Sequence, residues 1–157
     1  CHEGKQQGAA ERLQKLSKLV RTTEAELQKP LVPRQGAFPL YSEGSWAAGV
    51  EEYLEAYFFT TFLKTKKLGA VPAGIHPKAE VLLGALADFT GEVLRAAVLS
   101  GADKDVRTIQ RYRSIIAEVV AFMLPLYLTG QSRQKFDQAK KNLKRIEEIL
   151  YEVKIRI

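Results

Sequence analysis

The sequence predicts an all-α protein, a bundle of long antiparallel helices. Strand signals are nearly absent, because the chain has no Asn-Gly or Asp-Gly hairpin turn and no run of alternating β-branched residues. Apolar residues recur instead at steps of three and four through five long segments, as one face of a helix requires. A chain of 157 residues, 46% of them hydrophobic, can bury a core without a disulfide or metal staple. We therefore expect a single helical domain over residues 1–157.

Proline and glycine clusters separate the five predicted helices. The first runs from Ala9 to Lys29 and ends before Pro30, because a residue that precedes proline avoids the helical region. A proline-rich connector follows, to about residue 40. Asp103 or Asp105 can cap the fourth helix, and Pro125 should kink its last turns. The later helices are predicted over Ser45–Lys67, over Lys78–Leu99, from the cap at Asp103 or Asp105 to Leu128, and over Ser132–Val153.

The overall charge favours an anionic partner. Lys and Arg number 24 against 18 Asp and Glu, so the net charge is +6 and the pI is near 9.4. Such a surplus points above all to nucleic acid. The single cysteine, Cys1, excludes an internal disulfide and a Cys-based zinc site. Because neither a secretory signal nor a membrane-spanning apolar run is found, we expect a cytoplasmic protein without membrane contact.

The second predicted helix carries carboxylates on an otherwise apolar surface. Between Ala47 and Leu63 its only charged residues are Glu51, Glu52 and Glu55. Glu52 and Glu55 are neighbours at i, i+3, where like charges destabilise a helix by a few tenths of a kcal/mol. This arrangement gains nothing for the helix alone, so it suggests a partner for the carboxylates.

The third predicted helix shows the same pattern. Between Val81 and Leu99 the only charged residues are Asp88, Glu92 and Arg95, which form one stripe at i, i+4 and i+7. The remaining surface is apolar, so this helix should be buried on most sides. Gly84 lies one turn before Asp88 on the stripe and would allow a close approach.

Two such helices predict a converged acidic site. Carboxylates buried together cannot all stay ionised unless a cation neutralises them. Mg²⁺ or Mn²⁺ fits best, because hard cations prefer oxygen ligands. The alternative is a pair of ordinary solvent-facing stripes in which Arg95 pairs with Glu92.

Basic residues supply candidate contacts to a phosphate backbone. Arg95 is one candidate, and Lys64, Lys66 and Lys67 are others that could steer the backbone. The alternative for these lysines is a favourable charge at a helix C-terminus. The fifth helix has a basic face that is typical of solvated surface, although its net positive charge also makes it a candidate phosphate-facing surface: Arg133, Lys135, Lys140, Lys141, Lys144 and Arg145. Arg111 and Arg113 flank Tyr112, an interleaving that suits single-stranded nucleic acid but also an ordinary helix surface.

Other catalytic chemistries have no support in the sequence. The histidines, His2 and His76, form neither an E-x-x-H nor an H-E-x-x-H motif, which excludes a ferritin-like di-iron site and a zinc protease. No glycine-rich phosphate loop is present. Trp46 is interpreted as a packing anchor at the start of the second helix.

Four blocks of the sequence carry distinctive motifs: residues 52–56 (EYLEA), 62–65 (FLKT), 87–95 (ADFTGEVLR) and 144–156. They resemble the translin and translin-associated factor X family. Residues 52–56 (EYLEA) and 62–65 (FLKT) resemble the E-Y-V-E-A…F-I-K-T stretch of factor X. Residues 87–95 (ADFTGEVLR) are similar to the A-D-L-T-G-E-L-M-R block of factor X, and residues 144–156 are similar to the last helix of translin. Residues 1–4 (CHEG) resemble the short His-x-Gly turn between the first two helices of the family.

This resemblance implies a function and a set of site residues. Factor X proteins assemble with translin into hollow, roughly octameric shells that cut single-stranded RNA, including passenger strands of small interfering RNA and transfer-RNA precursors. Their catalytic carboxylates correspond to Glu52, Glu55 and Asp88, with Glu92 as a fourth candidate ligand for Mg²⁺ or Mn²⁺. From the resemblance we expect that the long first helix of the family is not part of this sequence and that the loop at residues 68–77 is shorter than in animal factor X. Such a compact chain looks like the archaeal members, which can build the shell from one subunit type.

The expected function is therefore a Mg²⁺- or Mn²⁺-dependent endoribonuclease for single-stranded RNA, working as a homo-oligomer or together with translin. One alternative is a translin-like scaffold that binds single-stranded RNA or DNA without cutting it. Another is an all-α nucleotide pyrophosphohydrolase, which combines E-x-x-E with a later E-x-x-D. Here the second half is Asp-x-x-x-Glu in the reverse order.

Overall fold

The protein consists of five α-helices in the part of the chain that the structure describes. The structure is a computed structural model and describes residues 2–27 and 44–155, with side chains over 8–26 and 44–155. No strand occurs in these ranges, which confirms the predicted all-α class. The predicted connector over residues 30–40 lies outside the described residues. The helices are α1 (His2–Leu27), α2 (Gly44–Thr65), α3 (Ala79–Ala102), α4 (Val106–Met123) and α5 (Gly130–Ile155).

Three predicted helix ends are wrong. Residues 2–4 belong to α1 and do not form a turn, because no proline interrupts the run and most residues before Ala9 favour a helix. The third helix continues through Ser100 and Gly101 to Ala102, since Gly101 packs against Ile149 of α5, to which a Cβ at Gly101 would lie 3.5 Å. The left-handed Lys104, with φ 55°, then turns the chain into α4.

The fourth helix ends earlier than expected. It stops at Met123 instead of Leu128, and the capping residue Leu124 still has helical dihedral angles. Pro125 ends the helix and does not kink it, because proline has no N–H to donate and its ring clashes with the carbonyl group one turn back. At the other end Asp105, one of the two predicted caps, accepts a hydrogen bond of 3.0 Å from the Thr108 N–H.

Helices α2 and α3 run in the same direction. Glu51 lies against Gly84 near their N-terminal ends, and Phe62 packs edge-on against Phe89 further along, with ring centroids 5.8 Å apart. Helix α5 is also parallel to α3, because Lys135 contacts Asp88 and Ile149 contacts Gly101. The antiparallel packing expected from the sequence holds where the connection is short, between α3 and α4 and between α4 and α5.

The segment over residues 66–78 makes the parallel arrangement of α2 and α3 possible by returning along α2. Lys66 has a positive φ of 62° and begins the return. Gly69 lies so close to Thr61 that a Cβ there would come within 2.9 Å of its Cγ2. Ile75 is buried, and the His76 N–H donates a hydrogen bond of 3.0 Å to the buried Glu24 of α1.

The core is formed mainly by aromatic and aliphatic side chains of α2–α5. Phe58, Phe62 and Phe89 are almost completely buried, and Trp46 packs against the edge of this core, as predicted. Asn142 of α5 donates a hydrogen bond of 2.8 Å to the buried Thr90 hydroxyl, which in turn donates to the Ala87 carbonyl. This polar pair fixes how α5 sits on α3, which positions the functional side chains.

Large apolar side chains remain exposed away from this core. These exposed side chains include Leu19, Val98, Leu99, Phe122, Leu124, Leu126, Tyr127, Tyr151 and Ile155.

Within the described ranges no helix is both long and apolar enough to cross a membrane.

Candidate carboxylate site

Five carboxylates from two parallel helices lie close together on one side of the bundle. Helix α2 contributes Glu51, Glu52 and Glu55, and α3 contributes Asp88 and Glu92. The close approach expected at Gly84 is real: a Cβ at this position would lie 2.5 Å from the Glu51 Cδ. The absence of a side chain at Gly84 therefore lets the carboxylate of α2 pass over α3. We call this group of five the carboxylate site.

Glu55 shows that the predicted residues interact. Burial, together with the negative charges of Asp88, Glu52 and Glu92, raises its pKa from 4.5 to about 7, although Lys135 acts in the opposite direction. All four acids predicted from the sequence therefore belong to one electrostatic cluster. The charges of the neighbouring acids add to the effect of burial, which is the largest cause, and both disfavour the ionised form of Glu55.

Lys135 is the residue that the sequence reasoning missed. Its ammonium group donates to the Asp88 carboxylate and, at 3.0 Å, to Glu51 Oε1. Burial lowers the pKa of Lys135, but the two hydrogen-bonded carboxylates raise it, and the net change is upward. The interpretation of Lys135 as part of a solvated face is therefore wrong: only 25% of its side chain is exposed. Lys135 joins α5 to both carboxylate-bearing helices.

Arg95 lies at the outer edge of the carboxylate site. Its Nη1 is 3.2 Å from Glu92 Oε1, and its side chain is 77% exposed. The alternative in which Arg95 pairs with Glu92 is thus the arrangement found. The guanidinium group still has free N–H donors toward solvent, because this one contact leaves most of its five donors unused.

The remaining predicted basic residues are separate from the carboxylate site. Lys64, Lys66 and Lys67 are exposed at the C-terminal end of α2, about 13 Å along the helix from Glu55 at 1.5 Å per residue. The Lys66 ammonium donates to the Leu63 carbonyl at 2.5 Å and so satisfies the end of the helix. This contact is the predicted alternative, a favourable charge at a helix C-terminus.

The aromatic and basic interleaving on α4 does not form a stacking platform. Tyr112 is buried and packs against Phe62, with ring centroids 5.6 Å apart. Arg113 is paired with Glu147 of α5, with Nη2 2.6 Å from Oε1. The residues therefore tie α4 to the core and to α5.

On α5, Arg133 and Lys140 pair with Asp137, while Lys141 and Lys144 are exposed.

The side chains suit a hard divalent cation in their chemistry but are not arranged around one. Carboxylate oxygens are the ligands that Mg²⁺ and Mn²⁺ prefer. Among the described residues, the five carboxylates form ion pairs with Lys135 and Arg95 only. Over residues 2–27 and 44–155, however, no three His, Cys, Asp or Glu side chains are placed to hold a metal ion. Both the spacing of the acids and the family resemblance assign Asp88 to a metal site. Its carboxylate instead forms an ion pair with the Lys135 ammonium group.

An open cleft of about 630 Å³ adjoins the carboxylate site. The first turns of α2, α3 and α5 border it, together with the segment that leads into α5. Glu51, Glu52 and Lys135 line its inner wall, and Tyr127 lies at its rim. The carboxylate site is therefore accessible from solvent.

Comparisons with known proteins agree with this architecture. The whole chain, residues 1–157, matches the sequence model of the Translin family. The fold is similar to that in a solved structure described as "Structure of AfC3PO - duplex RNA complex", with a TM-score of 0.80 and 18% sequence identity; the match covers 99% of this chain and 78% of that chain. Comparison of the sequence with curated proteins finds no match.

The fold and site define a helical protein in which parallel helices present a cluster of carboxylates beside an open cleft. The family match extends over the full sequence, and the chain belongs to the Translin family. The predicted resemblance is thereby confirmed.

Proposed function

We propose that the protein is a divalent-cation-dependent endoribonuclease that cuts single-stranded RNA as part of a cytoplasmic oligomeric shell. The observation that carries this proposal is the carboxylate site, in which five acids are only partly neutralised by Lys135 and Arg95 and Glu55 has a pKa of about 7. Uncompensated negative charge beside an open cleft, in a chain of net charge +6, favours a cation at this point together with a polyanionic substrate.

Glu52, Glu55 and Asp88 would hold the Mg²⁺ or Mn²⁺, and Glu92 would ligate it or orient its water molecules. The cation would lower the pKa of an attacking water and stabilise the charge that develops on the phosphate. The protein's own contribution is to keep these side chains in place. Gly84 has no side chain and so leaves room for Glu51 of α2, and the Asn142–Thr90 hydrogen bond fixes α5 against α3.

The exposed cations would bind the RNA backbone. Arg95 lies next to Glu92 and is the nearest predicted phosphate contact, while Lys64 and Lys67 extend the positive surface along α2. RNA as the ligand is also supported by the AfC3PO structure, whose description names a complex with duplex RNA. Because that ligand is a duplex, the preference of this chain for single strands needs a direct test.

A shell requires subunit contacts, and the exposed apolar side chains supply candidates for them. Leu99 is 69% exposed and Tyr127 is 97% exposed. Large apolar surfaces of this kind mark interfaces. We propose a homo-oligomer, octamer-like in form, with a hetero-oligomer containing translin as the alternative.

Cleavage of labelled RNA tests the proposed activity. The full chain is incubated with single-stranded and duplex RNA in Mg²⁺, Mn²⁺ or a chelator, and the products are analysed for 5′-phosphate and 3′-hydroxyl ends. We expect metal-dependent cleavage that is lost in Asp88→Asn and Glu55→Gln while RNA binding persists. Glu118→Gln, which changes an exposed acid on α4, is the control and should cut normally. Normal cleavage by Asp88→Asn would falsify the catalytic assignment.

A second candidate function is a scaffold that binds single-stranded RNA or DNA without cutting it. It is favoured by the Lys135–Asp88 pair, which occupies a proposed ligand, and by the lack of three convergent ligands in the described residues. This function predicts retained binding without cleavage in any metal. Release of pyrophosphate and nucleoside monophosphate from nucleoside triphosphates, in place of RNA cleavage, would instead indicate a nucleotide pyrophosphohydrolase.

A further inference from the structure

Lys135 reaches the carboxylate site from a different helix than the acids it contacts. Its ammonium group bridges Asp88 of α3 and Glu51 of α2. These two acids differ in their proposed roles, because Asp88 is a proposed metal ligand and Glu51 is not. The ammonium group therefore competes directly for one ligand while it is anchored by a residue outside the ligand set.

We propose that Lys135 is a built-in counter-ion that occupies Asp88 in the cation-free protein and is displaced from it when a divalent cation binds, so that Lys135 sets the affinity for the cation. This inference rests on the proposed function. Lys135 is a positioning residue in this scheme, since it acts through Asp88 and not on the substrate.

The charges explain why the cation-free protein needs such a residue. Without Lys135, five carboxylates would face Arg95 alone, and Arg95 contacts Glu92 at the exposed edge. Partly buried like charges that lack a partner destabilise the folded state. Lys135 removes part of this repulsion but does not pair with Glu52 or Glu55, which is the side from which a cation would enter.

The geometry also allows the displacement. Lysine carries its charge on a flexible stem with several rotatable bonds, and Lys135 lines the open cleft beside the carboxylate site. When the cation takes Asp88, the ammonium group can keep its 3.0 Å hydrogen bond to Glu51. Glu51 thus retains Lys135 close by, ready to return when the cation leaves.

The experiment measures cation binding in the full-length protein without RNA. Mn²⁺ is titrated into wild type and Lys135→Met, with the dissociation constant from calorimetry and the melting temperature recorded at each concentration. Lys18→Met removes an exposed lysine of α1 and is the matched control. A hydrogen bond between charged groups corresponds to roughly 10- to 100-fold in an equilibrium constant. We expect Lys135→Met to bind Mn²⁺ about 10- to 100-fold more tightly than wild type and Lys18→Met to match wild type.

Stability provides a second readout. In a chelator, Lys135→Met should melt below wild type, and saturating Mn²⁺ should raise its melting temperature more than that of wild type. A melting temperature that falls without this larger recovery would mean that Lys135 is only a structural ion pair, and it would overturn the proposal. If Lys135→Met fails to fold, Lys135→Gln retains hydrogen bonding without the charge and should show the same tighter binding.

Two further comparisons separate the possible failures. Removing any nearby positive charge strengthens cation binding through the long-range field, but salt screens that effect. The ratio of affinities should therefore persist between about 50 and 300 mM KCl if Lys135 acts by contact, and its collapse would refute the competition. Equal Mn²⁺ affinity in all variants with metal-dependent RNA cleavage would overturn this inference and leave the proposed function standing. No Mn²⁺ binding and no cleavage would overturn both.

Discussion

The raised pKa of Glu55 predicts that the cation-free protein becomes less stable as the pH rises from about 4.5 to 7. Burial and three neighbouring carboxylates move this pKa from 4.5 to about 7. In this range the folded protein keeps the Glu55 proton while the unfolded chain has lost it. Because the folded state then binds more protons, the free energy of unfolding falls with increasing pH. The contribution is fully present below pH 4.5 and is lost once the pH passes about 7.

The magnitude follows from the difference between the two pKa values. At about 1.4 kcal/mol for each tenfold change in proton affinity, the full difference corresponds to about 3 kcal/mol. Glu55 is only partly buried, and solvent screens interactions of this kind. We therefore expect a loss of about 1–2 kcal/mol between pH 5 and pH 7.5.

Urea unfolding in a chelator at pH 5.0 and 7.5 measures this loss. Other groups also titrate, so the informative quantity is the difference between wild type and Glu55→Gln, which has no ionisable group at this position. Glu118→Gln serves as the control and should behave as wild type. The reasoning is refuted if Glu55→Gln shows the same decrease in unfolding free energy as wild type. Added Mg²⁺ should stabilise wild type more at pH 7.5 than at pH 5.0, since protonated Glu55 is a poor ligand.

Three other predictions concern the core, the surface and the assembly. Thr90→Val removes the hydroxyl that accepts the Asn142 hydrogen bond and should reduce the unfolding free energy by about 1–3 kcal/mol, because a buried amide loses its partner; a change within error in urea unfolding would contradict this. RNA affinity should fall steeply between about 50 and 200 mM salt through counterion release, and filter binding that is insensitive to salt would exclude a backbone-tracking surface. Analytical ultracentrifugation should show an oligomer that Leu99→Glu weakens, whereas a stable 17.6 kDa monomer would refute the proposed shell.

The helices and the acids could be predicted from the sequence because both depend on local spacing. The 3.6-residue period places Asp88 and Glu92 on one stripe, and the same rule places Glu52 beside Glu55. The pKa of Glu55 shows that the two stripes interact. The interaction between the two acidic stripes depends on how α2 packs on α3. The apolar residues around each stripe nevertheless indicated that both stripes would be partly buried and would meet.

Lys135 was missed because five other basic residues surround it on α5. A signal was nevertheless present: Lys135 continues the buried stripe of α5 one turn toward its N-terminus, at the spacing of Ala139, Asn142 and Ile146. A lysine on the buried stripe of a helix usually has an acidic partner. Its partners could not be named from spacing, since they come from two other helices.

The direction of α3 relative to α2 also could not be predicted from local sequence patterns. Helix α2 is about 33 Å long at 1.5 Å per residue, and the thirteen residues of the return segment over 66–78 can extend to about 43 Å. The segment is therefore long enough either to turn directly into an antiparallel α3 or to return along the whole of α2 and begin a parallel α3. Burial of Ile75 and the hydrogen bond from His76 to Glu24 favour the return, and these depend on residues distant in sequence.

The parallel packing of α2 on α3 has a consequence for the order of folding. Helices α3, α4 and α5 are joined by short connections and contact one another extensively, so their mutual packing requires little loop closure. Helix α2 can dock in its native direction only after residues 66–78 have been laid back along it, which is the slower, non-local step. Glu51, Glu52 and Glu55 arrive with α2. A partly folded chain therefore holds Asp88, Glu92 and Lys135 together without the three carboxylates of α2, and the complete carboxylate site forms only when α2 docks.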